Sequence, residues 1–230
     1  MAEDTRDRRE RMVRTQIAAR GVGDERVLDA MRAVPREAFV DPRLAHQAYD
    51  DAPVRISSGQ TLSQPYIVAA MIQALKLSPE DRVLEVGTGS GYAAAVLAVL
   101  VHAVYTVERH RNLADRAQET LATLGYRNVK VRHGDGSLGW PEVAPFQAIV
   151  VAAAAPEVPA PLRDQLAVGG RLVVPVGDRS TQRCLRVTRL SEEKYAEDDL
   201  GGVRFVPLVG DAGWPEDPNV RFVPWSKGQP

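Results

Sequence analysis

The segment that most constrains this chain is residues 83–92, which read VLEVGTGSGY. An apolar, β-branched run breaks there into glycines at alternate positions, Gly87, Gly89 and Gly91, and the apolar run 93–101 follows at once. This pattern predicts a buried strand, a tight turn and a helix. Because glycines leave the backbone bare, a ligand can approach the turn closely, facing the N-terminus of the helix. The segment therefore indicates a ligand site at a strand end.

An acidic residue at the end of the next strand-like run points to a nucleoside. That run, residues 102–107, is followed by Glu108, which lies 21 residues after Gly87. An acid at the tip of the second strand of such a unit can accept both hydroxyls of a ribose. A structural glycine loop is the competing interpretation of the turn alone, and Glu85 and Glu108 together favour a cofactor site.

The glycine spacing distinguishes two cofactor classes. The Gly-x-Gly-x-x-Gly pattern of dinucleotide-binding proteins would place its third glycine at position 92, which is Tyr92. The observed Gly-x-Gly-x-Gly spacing is that of S-adenosylmethionine-dependent methyltransferases. Glu85, beside the turn, could hold a cationic amino-acid group and would repel a pyrophosphate. The spacing therefore favours S-adenosylmethionine over a nicotinamide dinucleotide.

The composition argues against several other classes of function. Lys and Arg number 29 against 30 Asp and Glu, so no net field recruits nucleic acid or an anionic membrane. The single cysteine, Cys184, excludes an intrachain disulfide and suits a reducing cytoplasm. The histidines lack metal-ligand spacing, and no apolar run could span a bilayer. We expect a cytoplasmic monomer with no metal and with neither nucleic acid nor membrane as a partner.

The alternation of apolar runs predicts an α/β fold with a mostly parallel sheet and helices on both faces. Strands are expected at residues 82–86, 102–107, 128–132, 147–152 and 170–176. Helices are expected at residues 91–101, 110–124 and 159–168. Two further runs, residues 183–190 and 203–209, flank an acidic stretch at 191–199 and predict an antiparallel strand pair at the end of the sheet.

The N-terminal third has a different pattern. Residues 6–34 are expected to be helical and to end at Pro35, residues 36–60 to be irregular, and another helix to begin near Pro65. The chain is thus divided into an N-terminal helical and substrate-binding segment at 1–76, a Rossmann-like core at 77–210 and an irregular tail at 211–230.

Residues 59–66, which read GQTLSQPY, form the second segment whose side chains could take part in a reaction. Ser63 could cap a helix that starts at Pro65, which is the structural interpretation. Together with the glycine turn, however, this segment resembles the protein-L-isoaspartate O-methyltransferase family. The matching blocks occur in the family's order at residues 34–40, 48–51, 59–65, 83–92, 134–136, 150–156 and 205–208.

The resemblance implies a methyltransferase fold and a specific reaction. Such enzymes transfer the methyl group of S-adenosylmethionine to the α-carboxylate of L-isoaspartyl residues in damaged proteins and peptides, leaving S-adenosylhomocysteine. The ester then collapses to a succinimide. Because a carboxylate is ionised at neutral pH, the transfer needs no strong general base and depends on orientation.

The resemblance also implies roles for individual residues. Ser63 matches the catalytic serine, and Thr61 is a second candidate for contact with the substrate. The positions matched to cofactor binding are Glu85, Gly87, Thr88, Gly89, Ser90, Glu108, Arg109, Asp135 and Gly136.

Three other functions compete with this one. A nicotinamide-dependent oxidoreductase is disfavoured by Tyr92. A serine hydrolase elbow around Ser90 would need glycines at positions 88 and 92. A non-catalytic cofactor-binding protein is disfavoured because Ser63 and its whole block are present.

Overall fold

The computed structural model describes residues 4–216 and centres on a seven-stranded sheet. A small antiparallel hairpin, β1 (Val54–Arg55) and β2 (Thr61–Leu62), precedes this sheet. The strands of the sheet are β3 (Arg82–Val86), β4 (Ala103–Glu108), β5 (Val129–His133), β6 (Phe146–Val151), β7 (Leu166–Gly177), β8 (Gln182–Arg189) and β9 (Tyr195–Val203). The helices are α1 (Thr5–Met12), α2 (Glu25–Ala33), α3 (Pro65–Ala74), α4 (Tyr92–Leu100), α5 (Arg111–Thr123) and α6 (Ala160–Asp164).

The strand order places a topological switch at the centre of the sheet. The order is β5-β4-β3-β6-β7-β8-β9, in which β3 to β7 are parallel and β8 runs antiparallel to both of its neighbours. The chain therefore moves outward from β3 in one direction and then resumes on its other side at β6. In open sheets of this kind, ligands bind beyond the carboxyl ends of the strands at the switch.

The sheet has one apolar core on each face. Successive side chains of a strand point to opposite faces. Val83 and Val104 pack with residues of α2, α3 and α4 on one side, whereas Leu84 and Tyr105 pack on the other side with Leu162 of α6. The predicted methyltransferase-type α/β fold, with helices on both faces and an antiparallel C-terminal pair, is confirmed.

The predicted helix over residues 6–34 is wrong in its continuity. The first helix passes through a π turn (Val13–Ile17) and a 3-10 turn (Ala18–Arg20), and it ends at Gly21, whose φ is +95°. A new helix, α2, begins after Asp24, whose side chain accepts a hydrogen bond from the backbone N–H of Arg26. Left-handed backbone at Gly21 terminates a right-handed helix. Between α2 and α3 the chain forms short 3-10 turns and the β1–β2 hairpin.

Two predictions in the C-terminal half also need correction. The expected helix at 159–168 ends at Asp164, because Leu166 already pairs with Phe146 in the sheet. The expected strand at 203–209 is displaced, and residues 195–203 form β9 instead. Residues 205–208 run parallel to the segment that follows β6, where Ala154 exchanges backbone hydrogen bonds with Val206 and Leu208.

The start of the predicted tail is tied to the sheet. The indole Nε1 of Trp214 donates to the carbonyl of Ala154 at 3.1 Å, and the backbone N–H of Asp211 donates to Asp135 at 2.7 Å. The remaining tail, residues 217–230, lies outside the described residues, and the proposed three-part division of the chain stays a prediction. Among residues 4–216, none of the helices combines the length and hydropathy needed to cross a bilayer.

Candidate active site

The turn between β3 and α4 has the geometry that its glycines allow. Gly87, Gly89 and Gly91 have φ values of +94°, +55° and +90°, which side chains rarely adopt. Space is also limited, since a Cβ at Gly91 would lie 3.3 Å from the side chains of Ala117 and Leu121. The turn therefore exposes bare backbone directly before the N-terminus of α4.

A cavity of about 940 Å³ opens at this turn. Its walls include the carboxyl ends of β3, β4 and β6, the β2–α3 segment and residues 202–209. Its volume suits a cofactor together with part of a substrate. The predicted site residues that line it are Thr61, Ser63, Glu85, Gly87, Thr88, Gly89, Ser90, Glu108, Arg109 and Gly136. The structure thus brings the two predicted segments together in one cavity.

Glu108 holds the glycine turn as well as facing the cavity. Its carboxylate accepts hydrogen bonds from the backbone N–H groups of Gly89 and His110, both at 2.9 Å. The residue is buried. Each carboxylate oxygen can accept a second hydrogen bond, so Glu108 can bind the turn and a ribose diol at the same time.

Glu85 is a buried acid in the same cavity. It is 1% exposed, and Oγ1 of Thr106 donates to its Oε2 at 2.6 Å. Burial raises its pKa to about 8, and the nearby charge of Glu108 acts in the same direction, against the hydrogen bond from Thr106. Within the described residues, no ion pair reaches this carboxyl, so the cavity contains an acid without a cationic partner.

Ser63 lines the cavity and does not cap α3. The N-cap position of α3 is Gln64, which makes no side-chain capping bond, and Pro65 begins the helix. The backbone carbonyl of Ser63 accepts a hydrogen bond of 2.7 Å from Arg36, a fully buried side chain. The capping interpretation of Ser63 is therefore wrong, and its hydroxyl makes no hydrogen bond within residues 4–216.

Asp135 is placed differently from the other predicted residues. Its Oδ1 accepts from the backbone N–H and the hydroxyl of Ser137, and its Oδ2 accepts from the backbone N–H of Asp211. Its neighbour Gly136 lines the cavity, whereas Asp135 does not. The contacts of Asp135 connect the C-terminal segment to the end of β5, and its part in cofactor binding stays a prediction.

Arg109 also contacts the C-terminal segment. It lines the cavity and forms an ion pair of 2.7 Å with Glu216.

Among residues 4–216, no group of three or more His, Cys, Asp or Glu side chains is arranged to hold a metal ion.

The model of the protein-L-isoaspartate (D-aspartate) O-methyltransferase family matches residues 7–213. The chain belongs to this family. The resemblance seen in the glycine turn and in the segment before α3 is thereby confirmed over most of the chain.

Curated relatives agree with the family match. A protein-L-isoaspartate O-methyltransferase 2 of Pelobacter propionicus is 60% identical over 208 residues, which cover 90% of this chain and 92% of that protein. A protein-L-isoaspartate O-methyltransferase 1 of Rhodopseudomonas palustris is 60% identical over 207 residues, which cover 90% of this chain and 84% of the relative.

Solved structures show the same fold. A protein-L-isoaspartate O-methyltransferase superposes with a TM-score of 0.79 at 29% identity, covering 89% of this chain and 67% of that chain. A Plasmodium falciparum member, solved in complex with S-adenosyl-L-homocysteine, has a TM-score of 0.76 at 28% identity, covering 87% of this chain and 98% of that chain.

Several residues of this family member's cavity were missed in the sequence. Residues 180–182 and 202–209 line the cavity, and the amide of Gln182 bonds both the N–H and the carbonyl of Phe205. Arg36 and Thr106 lie behind Ser63 and Glu85. Nothing local marks these positions, because their roles arise from contacts between distant segments. The one local signal is Glu85, because a buried acid needs a hydrogen-bond partner such as Thr106.

Proposed function

We propose that this protein transfers the methyl group of S-adenosylmethionine to the α-carboxylate of L-isoaspartyl residues in proteins and peptides. The resulting ester starts repair through a succinimide. The observation that carries the proposal is the meeting of two segments in one cavity, the glycine turn with its acids and the segment that presents Ser63.

The residues present fit the cofactor. The left-handed turn offers bare backbone. Among residues 4–216 the buried carboxyl of Glu85 has no cationic partner, and an amino-acid ammonium group would supply one. Glu108, at the tip of β4, would accept the ribose hydroxyls. When bound, S-adenosylmethionine supplies an electrophilic methyl group on a sulfonium. Thr88 and Ser90 of the glycine turn and Arg109, which follows β4, would complete this site.

The chain's own residues then have to orient the substrate. The hydroxyl of Ser63 is free to donate to one carboxylate oxygen, and Thr61 on β2 lies on the same cavity wall. Since an α-carboxylate is already ionised, the cavity needs no base to activate it. Orientation of the oxygen toward the methyl group supplies the rate enhancement.

The competing functions have less support. Tyr92 occupies the third glycine position of a dinucleotide site, begins α4 and is fully buried, so a dinucleotide turn of the usual kind is absent from this segment. A non-catalytic cofactor-binding protein leaves unexplained a free hydroxyl at Ser63 on the cavity wall.

Transfer of a labelled methyl group tests the proposal. We expect label from S-adenosylmethionine to enter an isoaspartyl peptide and not the aspartyl peptide of the same sequence, because the aspartyl carboxylate is displaced by one methylene and loses alignment. Equal labelling of both peptides would leave only an unspecific carboxyl methyltransferase. No labelling, together with preferential binding of a nicotinamide dinucleotide, would favour an oxidoreductase.

The proposed setting is a monomer in the cytoplasm that acts on damaged proteins and needs neither nucleic acid nor membrane. A near-balanced charge and a single, buried cysteine support this setting. Light scattering coupled to gel filtration tests the monomer, and a mass near 25.1 kDa is expected.

A further inference from the structure

Three buried side chains form a continuous chain of hydrogen bonds whose two ends, Glu85 and Thr88, line the cavity. Oγ1 of Thr88 lies 2.6 Å from Oγ1 of Thr106, and Oγ1 of Thr106 lies 2.6 Å from Oε2 of Glu85. Thr106 is fully buried and does not line the cavity, whereas Thr88 and Glu85 do. We propose that Thr106 is a positioning residue that orients Glu85 and, through Thr88, sets the hydrogen-bond polarity presented to the amino-acid part of the cofactor. This inference rests on the proposed function.

The backbone dictates the contact between Thr106 and Glu85. The two residues are register partners on the parallel strands β3 and β4, so their side chains emerge side by side on the same face. That face is the one covered by α4 and the N-terminal helices. A hydroxyl next to a carboxyl at this depth satisfies a group that water does not reach.

Counting protons gives the chain of hydrogen bonds a direction. A hydroxyl has one proton to donate. When the Glu85 carboxylate is ionised, Thr106 donates to it, and Thr106 can then only accept from Thr88. Thr88 therefore turns its proton inward and presents only lone pairs to the cavity, which suits an ammonium group.

Protonation of Glu85 permits the opposite direction. A protonated carboxyl can donate to Thr106, Thr106 to Thr88, and Thr88 then presents a proton to the cavity. That polarity opposes an ammonium group. Burial of Glu85 favours its protonated form, and the negative charge of Glu108 acts in the same direction. Binding of a cation at the cavity should therefore draw the proton from Glu85.

Two ligands separate this role from a structural one. S-adenosylhomocysteine carries the amino-acid group, and 5′-methylthioadenosine lacks it. We expect Thr106→Val, which removes the hydroxyl at nearly constant shape, to weaken S-adenosylhomocysteine binding about ten- to a hundredfold in calorimetric titration at pH 7. Binding of 5′-methylthioadenosine should be unchanged, and Thr106→Ser should restore affinity for S-adenosylhomocysteine.

The pH dependence provides a second readout. In the wild type, affinity for S-adenosylhomocysteine should rise with pH until Glu85 is already ionised before the ligand binds. Because Thr106→Val removes a hydrogen bond that favours the ionised carboxyl, this variant should show the same rise at higher pH. Equal loss of affinity for both ligands with an unchanged pH profile would overturn the proposal and indicate a structural role. Wild-type affinity in Thr106→Val would overturn it as well.

Folding of the variant is checked by its melting temperature. If Thr106→Val does not fold, Thr106→Cys replaces the hydroxyl with a weaker donor of similar size and supports the same comparison of ligands. A wild type that binds neither ligand would instead remove the proposed function. The two failures are thus distinguishable.

Discussion

Arg36 donates a hydrogen bond from its Nη2 to the backbone carbonyl of Ser63, with the two atoms 2.7 Å apart. Its Nε donates to the carbonyl of Ala48 at 2.6 Å, and its guanidinium lies 4.6 Å from the ring centre of Tyr92. Burial lowers the pKa of this fully buried side chain. Within residues 4–216 no carboxylate pairs with this buried cation, which is a costly arrangement, so its use to hold the Ser63 backbone indicates that the position of Ser63 matters.

Replacement of Ser63 by alanine should therefore reduce catalysis and leave stability intact. The backbone bond from Arg36 is retained, and the lost hydroxyl caps no helix. We expect kcat/KM for an isoaspartyl peptide to fall by about ten- to a thousandfold, as for loss of one orienting hydrogen bond. Affinity for S-adenosylhomocysteine should be unchanged. Ser57→Ala, which removes an exposed serine hydroxyl outside the cavity, is the matched control, and an undiminished kcat/KM in Ser63→Ala would reject the catalytic role.

Replacement of Glu108 by alanine should weaken the cofactor site in two ways. The ribose hydroxyls would lose charged acceptors, and the N–H groups of Gly89 and His110 would lose theirs. We expect affinity for S-adenosylhomocysteine to fall by about 2–4 kcal/mol, measured by calorimetric titration. Glu108→Gln keeps the shape and one carbonyl oxygen, so its loss should be smaller. Unchanged affinity in both variants would remove Glu108 from the site.

The sequence predicted the core of this fold because that part depends on local signals. Buried parallel strands are continuous apolar runs, and the strands β3 to β6 lie within a residue or two of their predicted bounds. The strand β9 was missed because its sequence, YAEDDLGGV, is acidic and contains two glycines. Its Asp198 and Asp199 bond Arg186 and Arg183 on β8, a cross-strand pairing that no single segment reveals.

The candidate site was predictable at positions where the local turn or strand end requires a particular residue type. The left-handed glycines and Glu108 are of this kind. Arg36 and Thr106 were not predictable, because each acts on a residue 27 or 21 positions away along the chain. Their significance comes from burial and from the groups that they contact.

The glycine turn allows a steric prediction with an internal control. Gly91 and Gly125 have similar φ values of +90° and +84°, but a Cβ at Gly91 would meet Ala117 and Leu121 at 3.3 Å, whereas a Cβ at Gly125 would meet nothing within 4 Å. Both alanine variants carry the same backbone strain, about 1–2 kcal/mol. Gly91→Ala should lose about 1–3 kcal/mol more in urea unfolding because its core must shift. Equal losses would show that the core accommodates the methyl group freely.

Glu85 links the stability of the cofactor-free protein to pH. Its pKa in the folded protein, about 8, lies above the ordinary value of 4.5 because burial penalises the charged form. Below pH 4.5 the folded and unfolded chains both hold this proton. Between pH 4.5 and 8 only the folded chain holds it, so the contribution of Glu85 to stability declines as pH rises and is lost above pH 8.

Replacement of Glu85 by glutamine removes this titration and should change the pH dependence of stability. We expect the free energy of unfolding of Glu85→Gln to gain on that of the wild type by up to about 1.4 kcal/mol per pH unit between pH 5 and 8. Urea unfolding at several pH values measures this difference, with the exposed Glu80→Gln as the control. Affinity for S-adenosylhomocysteine should fall in Glu85→Gln, because an amide carries no charge to pair with the ammonium group. Parallel stability curves for the wild type and Glu85→Gln would contradict the raised pKa, and unchanged affinity would separate Glu85 from the cofactor.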